Sequence, residues 1–86
     1  MNILKISAKS SPNSIAGALT GIIKEEGEAS MQAVGAAAIN QAVKAVAIAR
    51  GFVTVQGNDI YCTPTFTTID IGGEEKTGIR FHVGLK

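Results

Sequence analysis

The chain has no tryptophan, one cysteine, one histidine and two prolines among its 86 residues. A lone thiol, Cys62, excludes an internal disulfide, and one histidine with one cysteine cannot furnish a zinc cage, so a reducing setting without metal or other cofactor is expected. Aromatic residues make up only 5%, which leaves no set of flat side chains interleaved with cations for stacking on bases. Charge is scarce as well: 8 Lys and Arg against 7 Asp and Glu, a formal net charge of +1 and 17% charged residues exclude a strong field and leave much of the surface uncharged. No apolar run approaches the roughly 20 residues of a membrane span, and Met1-Asn2-Ile3-Leu4-Lys5 lacks the layout of a secretory signal. A cytosolic (cytoplasmic) protein with no membrane contact is the expectation. Without repeats, low-complexity tracts or a linker, residues 1–86 read as one domain. Its core is only just large enough to offset the chain entropy, so a partner subunit would help.

Catalytic groups are equally few. His82 stands in an alternating strand beside Arg80 with no serine or cysteine nucleophile tied to it, and Cys62 precedes Pro64 in an apolar strand, where a small hydrophobe is the simplest role. The acids gather at Glu25-Glu26-Glu28 and Glu74-Glu75, a helix end and a turn, where solvated charge is usual. Gly72-Gly73 and Gly35-Ala36-Ala37 lack the lysine and hydroxyl residue of a P-loop. The expectation is a protein that is not an enzyme.

What is abundant is alanine. Gly35-Ala36-Ala37-Ala38-Ile39-Asn40-Gln41-Ala42-Val43-Lys44-Ala45-Val46-Ala47-Ile48-Ala49-Arg50-Gly51 predicts one long helix bounded by glycines, with Gly51 as a left-handed C-cap. On a 3.6-residue wheel Ala38, Ile39, Ala42, Val43, Ala45, Val46 and Ala49 share one side, and Asn40, Gln41 and Lys44 mark a narrow polar stripe. Upstream, Ile3 to Ser7 alternates as a half-buried strand with Leu4 and Ile6 on one face. Ser11 then caps a helix from Pro12 to about Glu26, ended by Gly27. That helix should turn Ile15, Ala18, Leu19, Ile22 and Ile23 inward and Gly17, Thr20, Gly21 and Lys24 outward. Two glycines four apart suggest tight contact with another helix or, less simply, close approach of a ligand.

Glu28 to Gly35 holds a second strand, and Phe52 to Ile60 reads as an irregular, anchored connection. Tyr61 to Ile71 follows as a strand that Pro64 restricts to an edge or a bulge. After a turn at Gly72-Gly73-Glu74-Glu75, Thr77 to Lys86 alternates with Ile79, Phe81, Val83 and Leu85 inward and Arg80, His82 and Lys86 outward. The order β-α-β-α-β-β predicts a two-layer α/β (α+β) fold, with two helices on one face of a four-stranded mixed sheet.

Hydrogen-bonding side chains fall on three neighbouring parts of that fold: Lys9 and Asn13 after the first strand, Asn40, Gln41 and Lys44 on the long helix, and Lys76 and Arg80 at the final strand. They suit phosphate contacts, helped by backbone N–H groups at the start of the first helix, but spacing alone favours the plain solvent face of a small domain. The blocks Ile3 to Ala18 and Gln32 to Gly51, with looser agreement from Val53 through Tyr61-Cys62-Thr63-Pro64 and the hairpin, resemble the stage V sporulation protein S (SpoVS) family. The resemblance implies a bacterial protein tied in some members to late sporulation and cell division, with an Alba-like fold shared by small DNA- and RNA-binding proteins that are typically dimeric. It implies contact with nucleic acid through the loop after the first strand, where Lys9 matches the basic residue, and through the start of the second helix and the terminal hairpin. Gly35 to Ala38 departs from the Alba pattern in carrying no charge there. The expectation is a homodimer that binds DNA or RNA through phosphate contacts from Lys9, Lys44, Lys76 and Arg80, with neutral hydrogen bonds from Asn13, Asn40 and Gln41. Its rival is a protein-interaction module that binds a division or developmental partner.

Overall fold

A computed structural model describes residues 3–86; Met1 and Asn2, part of the terminus read above for a secretory signal, lie outside them. The elements are β1 (Ile3–Ile6), α1 (Pro12–Glu26), β2 (Glu28–Ala33), α2 (Ala36–Thr54), β3 (Ile60–Ile71) and β4 (Glu74–Leu85). They form a four-stranded sheet of order β1-β2-β4-β3, in which β1 and β2 are parallel and the other pairs antiparallel. Both helices pack on one face, and the expected mixed two-layer architecture is the one the chain adopts. No helix among the described residues is long and apolar enough to cross a membrane.

Local chemistry explains most boundaries. Pro12 opens α1 behind Ser11, whose hydroxyl accepts from the Ser14 N–H at 3.4 Å, and Gly27 closes it at φ 82° with its N–H on the Ile23 carbonyl. The β3–β4 turn is tighter than the four-residue turn expected. Gly72 and Gly73, at φ 60° and 84°, make it alone, so Glu74 and Glu75 belong to β4 opposite Ile71 and Asp70. Pro64 sits on the edge strand β3, where a missing N–H costs no ladder bond to an outer neighbour.

The long helix corrects the expectation at its C-terminus. Gly51 is helical rather than a left-handed cap, and α2 runs three residues further, to Thr54. The reason is Val53: it is 2% exposed and completes the buried row Ala38, Ala42, Ala45, Ala49, Val53. Burying a valine side chain is worth about 1.5–3 kcal/mol, more than the roughly 1 kcal/mol that a helical glycine costs. The chain then leaves through Gly57 at φ 80°. Arg50 and Asp59 clamp the connection, with Nε to Oδ1 at 2.9 Å, and Asp59 Oδ1 also accepts the Ile60 N–H at 2.8 Å.

The helical wheel of α1 is also rotated from its expected setting. Ala16 and Thr20 are buried and Ala18 is exposed, because α1 packs along α2 as well as on the sheet. Thr20 Oγ1 ends buried without a hydrogen-bond partner. Gly17 and Gly21 face open space, with nothing in the chain within 4 Å of an added Cβ, so the expected tight helix contact there is not made within the chain. Val43 and Leu85, expected inward, are 52% and 42% exposed.

Strand directions place the chain's ends of interest together. Because β1 and β2 are parallel and β3 runs with them, the C-terminal ends of β1 and β2, the N-termini of both helices and the β3–β4 turn share one end of the molecule. The pairing of β4 with β2 stops at Ile79 opposite Ala33, so the hairpin segments Thr67–Ile71 and Glu74–Gly78 continue beyond it as an arm about 16 Å long. The molecule measures 43 × 22 × 16 Å.

Candidate nucleic-acid interface

The loop between β1 and α1 is held by its own serines. Ser7 N–H donates to Ser10 Oγ at 2.9 Å, Lys9 N–H to Ser7 Oγ at 3.2 Å, and Ser10 N–H to the Ser7 carbonyl at 3.1 Å. This tight winding leaves Lys9 exposed at its apex. Gln41 reaches across from α2, its amide nitrogen donating to the Ala8 carbonyl at 3.2 Å. Here Gln41 is a strut that seats the loop against α2, and that fixes Lys9 relative to the exposed Asn40 and Lys44 on the same helix. Asn13 stands exposed in the first turn of α1. Neither Lys9 nor Lys44 forms an ion pair among the described residues.

Both helices begin beside this loop, and neither has an acidic residue in its first turn. At α2 no side chain caps the N-terminus, which starts at Gly35 with φ 89°. Its first N–H groups are left to solvent or a ligand, and the aligned peptide dipoles favour an anion there. Four acids lie at the opposite end: Glu25, Glu26 and Glu28 around the turn from α1 into β2, and Asp59, which is engaged with Arg50.

The remaining two candidates stand apart. Lys76 lies on the arm, 3.5 Å from the Glu74 carboxylate and close in sequence to Glu75, with Asp70 opposite Glu75. Arg80 is on the helix-free face of the sheet, half-buried, with Nη2 donating to Gln32 Oε1 at 3.3 Å and Nε buried without a partner. The structure thus brings Lys9, Asn13, Asn40 and Gln41 toward one end of the molecule, leaves Lys44 one turn beyond Asn40 at the middle of α2, sets Lys76 out on an acidic arm, and turns Arg80 onto another surface. Sequence reading missed Lys5 and Gln32, which lie in register with Arg80 across β1, β2 and β4. Alternation marks Lys5 as outward-facing, but nothing local to the sequence discloses that register.

Among the described residues no three His, Cys, Asp or Glu side chains converge as a metal site. His82 Nε2 is 3.2 Å from the Tyr61 hydroxyl, and the Tyr61 ring lies over Gly84. Burial pushes the half-buried Cys62 thiol up, away from the reactive thiolate.

Compared with known proteins, residues 2–86 match the family model described as stage V sporulation protein S (SpoVS). Among solved structures, Alba from Thermoplasma volcanium is similar with a TM-score of 0.61 over 99% of this chain and 99% of its own, at 15% sequence identity. At that identity the likeness speaks for the fold.

Proposed function

The chain belongs to the stage V sporulation protein S (SpoVS) family and has an Alba-like fold, and from that premise we propose that it is a non-enzymatic nucleic-acid-binding protein acting in sporulation-related development or cell division. The observation that carries the reading is convergence at one end: a rigid loop presenting Lys9, two helix N-termini free of acids, and Asn13 and Asn40 beside them, with Lys44 one turn further along α2. Phosphates are read by such a set of cations and backbone N–H groups, which positions a nucleic acid without specifying its bases. Lys76 and Arg80 are peripheral contacts in this reading, because one is neutralised by Glu74 and the other is tied to Gln32.

Titration of labelled duplex DNA and of single-stranded RNA at two salt concentrations tests it. Lys9→Ala and Lys44→Ala should each lower the slope of log affinity against log salt by roughly 0.7–0.9, the contribution of one lost phosphate contact. An unchanged slope in the double variant overturns the phosphate reading. The rival, a protein-interaction module, draws support from exposed apolar side chains, among them Phe66 at 83% and Phe52 at 48%. Absence of binding to either polymer at low salt would favour that rival. A second copy of the chain is the occupant we propose for Phe66, and the resulting homodimer would set two loop clusters on one assembly.

A further inference from the structure

The helix-free face carries a cleft of about 370 Å³ between the end of β1 and the arm, walled by Lys5, Ser7, Gln32, Val34, Ile69 and Ile71. Its size is that of a small-molecule pocket. Ile69 is folded over the sheet to make one wall: a methyl group added at Gly78 would lie 2.7 Å from Ile69 Cδ1 and 3.0 Å from Val34 Cγ2. Glycine at 78 is what lets those two apolar side chains converge there.

The polar side of the cleft carries two donor side chains, Lys5 and Gln32, beside Ser7 and Asp70. Arginine has no acceptor, so the Gln32 atom facing Arg80 Nη2 at 3.3 Å must be its oxygen, and the Gln32 NH2 group is turned to the other side. Lys5 adds an exposed ammonium in the same register row. Arg80, across Gln32 from Lys5 and outside the cleft lining, has its Nε buried with no partner, a group that ordinarily finds one. Asp70 also borders the cleft, but its Oδ1 is turned into the hairpin turn and accepts from the Gly73 N–H at 3.0 Å.

From this arrangement we propose that the cleft binds a small organic anion, with its phosphate or carboxylate head against Lys5 and Gln32 and a compact apolar body against Val34, Ile69 and Ile71. Arg80 is a positioning residue that orients the Gln32 amide. The cleft adjoins the Lys9 loop through Ser7 and Ala8, but none of the side chains assigned to phosphate contact, Lys9, Asn13, Asn40 or Lys44, lines it.

Side-chain NMR with adenosine monophosphate, benzoate and adenosine tests the proposal and separates a phosphate head from a carboxylate. One of the two anions should shift the Lys5, Gln32 and Arg80 Nε–H signals, and neutral adenosine should not. Gln32→Glu keeps a partner for Arg80 while replacing the donor edge with charge, so the fold is retained and anion affinity should fall at least about tenfold, the worth of one charge-assisted hydrogen bond. Lys5→Gln, at an exposed edge position, should give a similar loss. Gln32→Glu should leave the salt slope of nucleic-acid binding in place, whereas Lys9→Ala should lower that slope and leave anion binding intact, so the two readings fail separately. Silence of all three side chains toward both anions at millimolar concentration overturns the site, as does equal binding of adenosine, or undiminished anion binding by Gln32→Glu.

Discussion

Asp59 shows how one side chain couples the end of α2 to the start of β3. Hydrogen bonding from Arg50, and then from the Ile60 N–H, holds its carboxyl below the ordinary carboxylate value. A carboxylate depressed in the folded state contributes stability at pH values above its unfolded pKa, and the contribution disappears as pH falls through the folded value. Asp59→Asn should therefore lower the melting temperature near pH 7, and the gap to the parent should narrow at a second, acidic pH below the ordinary carboxylate range. Thermal melts of both proteins at the two pH values check this, and a gap that persists in acid would place the effect in packing instead. At this scale the sequence was partly legible. Lys9 as an exposed loop cation and Pro64 on an edge follow from local chemistry. Gln41 as a strut and Arg80 as a partner of Gln32 depend on residues 33 and 48 positions away, which no local pattern reports.

Helix boundaries follow from a competition between local propensity and burial. Ser11, Pro12 and Gly27 agree with the packing, so α1 begins and ends where expected. Gly51 disagrees with it and loses, because Val53 is buried beyond it. The same comparison applied to Gly17 and Gly21 leaves two exposed helical glycines with no packing reason inside the chain. Each should gain roughly 0.5–1 kcal/mol on replacement by alanine, through helix propensity and a less flexible unfolded chain. Denaturant melts of Gly17→Ala, Gly21→Ala and the double variant check this, with additive increases in midpoint expected. A fall in midpoint confined to associated protein would show that a partner backbone approaches that stripe. The apolar arc of α1 is legible on a helical wheel but its orientation is not, since that is set by packing against α2, an element two further along the chain.

For the whole molecule the governing fact is an 86-residue chain whose buried core holds seven alanines while Phe66 is left outside. Phe66 alternates on β3 with Cys62 and Pro64 on the helix-bearing side, yet the helices cover that side only as far as Cys62, which is half-buried, while Pro64 is exposed. Extending the sheet by pairing β3 with a second β3 would be hindered at Pro64, which has no N–H to donate. A second copy must then meet this edge through side chains, and in a twofold dimer each patch faces its own equivalent, so two Phe66 rings would be buried together. Each contributes about 1.5–3 kcal/mol when removed from water. Phe66→Glu withdraws that term and sets like charges across the symmetry axis, while costing the isolated fold little because the side chain is 83% exposed. The expected outcome in light scattering is a parent at twice the chain mass of 8.9 kDa and a variant at that mass, with unchanged circular dichroism. A variant that stays dimeric would move the interface to α2 around Val43, and a monomeric parent would leave Phe66 to a different partner.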